Sequence, residues 1–89
     1  MKVQNVSAAS AVLGRRIARF RRKKGMSQET LADAAGLHRT AIGFVERGER
    51  SITFRTLLAI CKGLGTNASQ LLSGIEREIE AGSQQEPRR

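Results

Sequence analysis

The side chains best suited to specific binding lie in one short stretch near the middle of the chain. Arg39 and Thr40 begin a segment in which apolar residues recur at helical spacing, and Gly43 and Phe44 stand between those apolar residues. A cation in the first helical turn opposes the helix dipole, and a glycine within a helix costs about 0.5–1 kcal/mol relative to alanine. Stability alone does not explain these residues, so we expect this face to bind a ligand.

Hydrogen bonding to the edges of DNA bases is the chemistry that this face fits. The major groove of B-form DNA admits one α-helix, whose N-terminal residues reach the bases. Arg39 can donate two hydrogen bonds to guanine, worth about 1–3 kcal/mol of base discrimination, and Thr40 can contact a base or a phosphate. Gly43 would allow a close approach of the backbone to DNA or only relieve crowding. Phe44 would meet a thymine methyl group or pack against the loop after Gly48.

Residue patterns for catalysis or metal binding are missing from the sequence. It has no nucleophile paired with a base, no glycine-rich phosphate loop and no metal-ligand spacing, so we expect neither an enzyme nor a bound metal or cofactor. His38, the only histidine, stands where it can cap a helix or contact a phosphate. Cys61, the only cysteine, falls on an apolar stripe and is expected in the core.

The chain is strongly basic, with a formal net charge of +8 in 89 residues. Residues 1–26 hold eight basic side chains and no acidic one. This balance suits a polyanion, either nucleic acid or an anionic membrane surface. Membrane binding is disfavoured because Leu13, Ile17 and Phe20 form the stripe that a folded core requires. RNA is disfavoured because a helix cannot enter the A-form major groove.

Nothing in the sequence indicates export or insertion into a membrane. No apolar run approaches the ~20 residues of a membrane span, and no segment has the pattern of a signal peptide. A single cysteine cannot form an internal disulfide and suits a reducing compartment. We therefore expect a cytoplasmic protein that does not bind membranes.

The pattern of apolar residues, caps and glycines predicts five short helices in one compact all-α domain. Residues 1–9 are predicted to form a flexible arm, residues 10–81 the folded domain and residues 82–89 a disordered tail. The residues expected on the inner face of the fourth helix are Phe54, Leu57, Leu58, Cys61 and Leu64. The apolar stripe of the fifth helix consists of Leu71, Leu72, Ile75 and Ile79.

The second and third of these helices have the arrangement of a helix-turn-helix. Ser27 can cap the second helix, which ends at Gly36, and the third begins near His38 after a short turn. Ala34 and Ala35 are small enough to let the third helix pack closely. Only a narrow apolar face of the third helix would then be buried, which leaves its polar face free for DNA.

The stretch from Leu13 to Leu72 resembles the lambda-repressor-like family of helix-turn-helix domains, which includes the Cro, phage repressor and XRE types. The matching residues are, in order, Gly25-Met26-Ser27-Gln28, Leu31-Ala32, Ala35-Gly36-Leu37, Ile42, Val45-Glu46-Arg47-Gly48 and Leu57 through Leu64-Gly65. The resemblance implies a sequence-specific DNA-binding regulator. In its Arg-Thr pair and its small size, the chain is most similar to the controller proteins of restriction–modification systems. Antitoxin-type repressors share much of the same pattern.

The resemblance also implies roles for the matched positions. The family's base-reading positions are occupied by Arg39, Thr40, Gly43 and Phe44. The residues expected at the DNA backbone are Gln28, His38, Arg47, Arg50 and Ser51. In this family Glu46 usually pairs with an arginine of the first helix, here Arg21, so both are expected to be structural. Gly43 and Phe44 replace the polar residues common in the family, so no base preference can be transferred from a relative.

A domain of this size makes few base contacts, so we expect a homodimer on half-sites about one helical turn, ~34–36 Å, apart. The predicted dimer interface consists of Leu71, Leu72, Ile75 and Ile79; the alternative is that these residues pack only within the chain. No part of the chain is large enough for an effector pocket, so no small-molecule effector is expected. The alternative function is an antitoxin-type repressor or an interaction module whose main partner is another protein.

Overall fold

The computed structural model describes the backbone of residues 3–84 and the side chains of residues 8–82. In this range the chain forms only helices and no strand, which confirms the predicted all-α class. The helices are α1 (Val3–Lys23), α2 (Gln28–Ala35), α3 (Arg39–Glu46), α4 (Phe54–Leu64), α5 (Ala68–Leu71) and α6 (Ile75–Gln84). None of these described helices combines the length and the apolar character needed to cross a bilayer.

One aliphatic core joins the first five helices. α2 packs on α3 and α4, and α1 packs on α3 and α6. The largest fully buried side chains are Ile17, Leu31, Ile42, Ile60, Leu64 and Leu71. Cys61 is also buried, as the sequence predicts, and burial raises the pKa of its thiol.

The cap of α2 at Ser27 follows the sequence prediction, and α4 and α5 begin with caps of the same kind. Ser27, Thr53 and Asn67 each accept a hydrogen bond from the backbone N–H three residues further on, at 2.9–3.1 Å. Gly36 and Gly65 end α2 and α4 in the left-handed conformation, with φ of 71° and 70°. These caps satisfy backbone groups that a helix end leaves free, so they fix where α2 and α4 begin and end.

The first helix is longer than predicted. α1 begins at Val3, so most of the predicted arm of residues 1–9 is helical. No glycine or proline precedes Val12, and nothing in this segment therefore ends a helix. Of the predicted arm, Met1 and Lys2 lie outside the described residues.

The end of the chain differs in a similar way. α6 continues through Gln84, which places residues 82–84 of the predicted tail in a helix. The remaining part of that prediction, residues 85–89, lies outside the described residues.

The predicted fifth helix is divided into two segments. The chain turns after Leu71, and α6 begins at Ile75. Gly74 within this turn has a φ of +67°, a left-handed conformation that a continuous right-handed helix cannot contain. α5 is consequently only four residues long.

The prediction that Leu71 lies at a dimer interface is wrong. Leu71 is fully buried in the core of its own chain, so it has no surface left for a second copy. Leu72, Ile75 and Ile79 are half-buried. Leu72 packs against the core, and Ile75 and Ile79 belong to α6, which packs on α1. Part of this apolar stripe therefore serves packing within the chain.

The predicted inner face of α4 is also wrong for two residues. Phe54 is 72% exposed and Leu58 is 44% exposed, more than any other large hydrophobic side chain in the described range. The buried residues of α4 recur at Leu57, Ile60, Cys61 and Leu64. Phe54 and Leu58 lie at the edge of that stripe, where no other helix covers them.

Two glycines bring the first helix close to the end of α3. A Cβ atom at Gly14 would lie 2.6 Å from the carbonyl oxygen of Glu46 and closer still to that of Val45. A Cβ atom at Gly48 would lie 2.7 Å from the Cα of Ala11, and Gly48 has a φ of +71°. The role of Gly14 in this close approach could not be predicted from the sequence, because it depends on a contact between distant parts of the chain.

Candidate nucleic-acid interface

The turn between α2 and α3 fixes the direction of the third helix. Gly36 ends α2, and the N–H of Leu37 donates to the carbonyl of Ala32 at 2.8 Å. Ile42 and Val45 then bury one face of α3 in the core, at 0% and 8% exposure. The opposite face of α3 is thereby held at the surface.

His38 caps α3, which is one of the two roles predicted for it. Its Nδ1 accepts a hydrogen bond from the backbone N–H of Thr40 at 3.2 Å. That hydrogen bond requires an unprotonated Nδ1 and leaves Nε2 for another partner. His38 itself is exposed, so the predicted phosphate contact is sterically open to Nε2.

The surface of α3 borders a groove of about 510 Å³ between α3 and the start of α2. The predicted DNA-binding residues that line it are Gln28, Arg39, Thr40, Gly43 and Arg47. Arg39 and Thr40 are exposed, and Arg39 forms no ion pair with another described residue. The structure thus brings together five residues that the sequence analysis assigned to base and backbone contacts.

Arg21 and Glu46 form an ion pair that joins α1 to the last residue of α3. The Nε and Nη2 atoms of Arg21 donate to the two carboxylate oxygens of Glu46 at 2.6 and 3.0 Å. Arg21 also donates to the carbonyl of Met26 at 2.8 Å. The pair is almost completely shielded from solvent, and its hydrogen bonds raise the pKa of the Arg21 guanidinium. An arginine is charged throughout the physiological pH range in any environment, so the pair with Glu46 is ionic.

Gln28 makes a contact that the sequence analysis did not anticipate. Its amide Nε2 donates to Oε1 of Glu46 at 2.9 Å, so α2 joins the Arg21–Glu46 pair. Each of the three helices α1, α2 and α3 supplies one member of this network. The second N–H of Gln28 remains to donate to a phosphate oxygen, and its amide oxygen can accept from water.

Phe44 is covered by arginines from the segment that follows α3. The guanidinium carbon of Arg50 lies 4.4 Å from the centre of the ring, and that of Arg47 lies 5.3 Å away. Both distances are in the range of cation–π contacts. Phe44 is half-buried, so packing against this loop, one of its two predicted roles, is present in the structure.

Gly43 and Arg47 are also in contact. A Cβ atom at Gly43 would lie 3.0 Å from Nη1 of Arg47, so the glycine makes room for that side chain. Arg47 in addition pairs with Glu49 at 2.9 Å, while Ser51 is exposed in the same loop. Gly43 is buried beneath Arg47, which favours relief of crowding over direct approach of its backbone to DNA.

Comparisons with known proteins agree with this geometry. The helix-turn-helix family model matches residues 17–71. Control protein C.SmaI of Serratia marcescens is 42% identical over 69 residues, which cover 75% of this chain and 82% of that protein.

Two solved structures also match. The restriction–modification controller protein C.AhdI of Aeromonas hydrophila has a TM-score of 0.68 at 37% identity, covering 70% of this chain and 94% of that one. The controller protein C.Esp1396I was solved as a tetramer in complex with its natural 35 base-pair operator. It has a TM-score of 0.74 at 33% identity, and the match covers 81% of this chain and 95% of that one. The chain described here therefore belongs to the helix-turn-helix family, and it is similar to the restriction–modification controller proteins.

Proposed function

We propose that this protein is a sequence-specific DNA-binding regulator of transcription that inserts α3 into the major groove. One observation carries the proposal: Ile42 and Val45 are buried behind α3 while Arg39 and Thr40 are exposed at its start. A helix so oriented presents its N-terminal side chains to base edges. Arg39 would hydrogen-bond a guanine, and Thr40 would contact a neighbouring base or phosphate.

The backbone contacts would flank the recognition helix on both sides. Gln28 and His38 lie near the starts of α2 and α3, whereas Arg50 and Ser51 follow α3. Arg50 would reach a phosphate from its position over the Phe44 ring. Phe44 would then support a backbone contact rather than contact a base itself, which modifies the role implied by the family resemblance.

Homodimers would bind two half-sites, because a single α3 reads too few bases for a specific operator. The relative C.Esp1396I was solved as a tetramer on its operator, which supports self-association on DNA. The half-buried apolar residues Leu72, Ile75 and Ile79 would form the interface. Phe54 and Leu58 on α4 offer a second apolar surface, and their exposure makes them the alternative interface.

Control of a restriction–modification system is the regulatory role that the relatives favour, since C.SmaI is named a control protein. Regulation would depend on protein concentration and on pairing at the operator, with no small-molecule effector and no catalytic activity. The protein would act in the cytoplasm. An antitoxin-type repressor is the alternative, and it would require a protein partner for α6 or α4.

Selection of bound duplexes from a random pool tests this function. The wild-type protein should enrich one half-site sequence, present twice at a spacing of about one helical turn. Arg39→Ala should keep the helical circular dichroism spectrum and lose most of the enrichment, because one bidentate contact is worth about 1–3 kcal/mol. Enrichment of the same sequence by Arg39→Ala would contradict the assigned role. Absence of any enrichment by the wild-type protein would contradict the function itself.

A further inference from the structure

A second groove, of about 600 Å³, lies between α1 and the α2–α3 unit. Arg21 of the ion pair borders this groove, and the rest of its α1 wall consists of Arg15, Arg19 and Arg22, with Ala18 among them. The small side chain of Ala18 leaves space between the arginines, so the groove is open to a ligand rather than filled by the protein. Apart from Arg21, none of these α1 residues was assigned a role by the sequence analysis beyond its contribution to net charge.

The groove carries an excess of positive charge. Five arginines line it, and its one carboxylate, Glu46, is already paired with Arg21. Arg19 has only a distant partner, with 3.9 Å to Glu78. Among the described residues, Arg15 and Arg22 form no ion pair. Their positive charges are therefore available to an anion.

The spacing of these arginines destabilises α1 through repulsion between like charges, and a bound anion would relieve that repulsion. Like charges three or four residues apart on a helix repel one another, and Arg15, Arg19 and Arg22 have that spacing. Across seven residues at 1.5 Å each they span about 10 Å of α1. One strand of B-form DNA carries about three phosphates over that length of helix axis. The array thus has about as many positive charges as one DNA strand has phosphates over the same length of helix axis.

The second groove is continuous with the groove beside α3. Arg21, Gln28 and Arg47 line both of them. A strand whose phosphate meets Gln28 would therefore pass directly from the α3 groove towards the arginines of α1. A separate ligand would have to compete with that strand for Gln28 and Arg47.

We propose that the basic groove on α1 binds the phosphate backbone of the same duplex, beyond the segment contacted by α3. This inference rests on the proposed DNA-binding function and deepens it, because it assigns Arg15, Arg19 and Arg22 to phosphate contacts. These contacts carry no base sequence information. They raise affinity for operator and random duplexes alike, and they lengthen the protected site.

The salt dependence of binding to a random-sequence duplex tests this proposal. The logarithm of affinity falls with the logarithm of salt concentration by about 0.9 for each phosphate contact. The double variant Arg15→Gln/Arg22→Gln should reduce this slope by about 1 to 2 and weaken binding at about 0.1 M salt by roughly 10-fold or more. The ratio of operator to random-duplex affinity should stay the same, because no base contact is lost.

A control of equal charge change separates local contacts from net charge. Lys62→Gln/Arg77→Gln also removes two positive charges, from exposed positions on α4 and α6 that line neither groove. This control should keep the wild-type slope. Circular dichroism and thermal melting check that both variants are folded.

Three results would overturn the inference while leaving the DNA-binding function intact. They are an unchanged slope in the α1 variant, an equal loss of slope in the control, and a selective loss of operator affinity. The first would assign the groove to a different partner, such as an acidic protein surface. If the wild-type protein bound no duplex at low salt, the proposed function itself would fail.

Discussion

At the scale of single residues, the contacts between Arg21, Glu46 and Gln28 connect the packing of the domain to its proposed DNA-binding surface. Arg21 and Glu46 are shielded from water, and Gln28 is half-buried beside them. Removal of one member of a buried ion pair leaves the other charge uncompensated, which costs about 3 kcal/mol or more. Glu46 ends α3, so the same contacts also hold the last turn of the recognition helix against α1.

Replacement of Glu46 by glutamine tests the structural role of this pair. Glu46→Gln should lower the free energy of unfolding by about 3 kcal/mol and the melting temperature by at least about 10 °C, because Arg21 would stay charged and buried. Urea and thermal unfolding measure the change. Glu49→Gln is the matched control: its ion pair with Arg47 is exposed and should contribute less than about 1 kcal/mol. Equal stability of the two variants would contradict a structural role for Glu46.

At the scale of helices, the position of α3 depends on its close contact with α1 at Gly14. The backbone carbonyls of Val45 and Glu46 occupy the space that any larger residue at position 14 would need. A backbone group moves less readily than a side chain, so this contact sets the distance between the two helices. It also places the basic residues of α1 next to the surface of α3 that we propose to bind DNA.

Gly14→Ala should therefore destabilise the protein although alanine favours helices. The added methyl group would force α1 and α3 apart, at a cost of about 2 kcal/mol, against an intrinsic helix gain of about 0.5–1 kcal/mol. Gly82→Ala is the control, because a Cβ there meets no atom and should stabilise α6 slightly. Chemical denaturation measures both. A Gly14→Ala protein as stable as the wild type would show that the helices separate freely.

The helices and their caps could be predicted from the sequence largely because their causes are local. Ser27 and Gly36 bound α2 through contacts within a few residues, so their types alone indicate its ends. The start of α1 is harder to predict, because the residues before Val12 are mostly small or polar and resemble an arm, while no glycine or proline among them ends a helix. The exposure of Phe54 and the burial of Leu71 depend on which helices lie beside them, which local spacing does not determine.

The candidate site also combines residues that the sequence identifies with contacts that depend on the fold. Arg39 and Thr40 were identified by residue type and position in the motif, and the structure has both exposed beside Gln28. The contact of Gln28 with Glu46 could not be predicted, since it joins residues 18 positions apart. Packing of Phe44 against the loop after Gly48 was one of its two predicted roles. The stacking of Arg50 on the ring depends on the conformation of that loop, which the residue types do not determine.

At the scale of the whole molecule, the apolar surface of the domain bears on how copies of the chain would assemble. Two apolar surfaces remain, one on α5–α6 and one on α4, and either would support a symmetric dimer. We predict that Ile75→Glu yields monomers in sedimentation experiments, because a buried charge at a dimer interface is costly. Ile79→Glu should act in the same way, and Phe54→Glu should leave the dimer intact. Monomers from Phe54→Glu alone would move the interface to α4.

Protection of guanine N7 from methylation by dimethyl sulfate is the most direct test of the central claim, that the start of α3 lies in the major groove. The wild-type protein, bound at low salt to a selected duplex, should protect one guanine N7 in each half-site. Arg39→Ala, added until the duplex is saturated, should lose that protection, while hydroxyl-radical cleavage should still show protection of the sugar–phosphate backbone. Full protection of the same guanines by the Arg39→Ala protein would contradict the account.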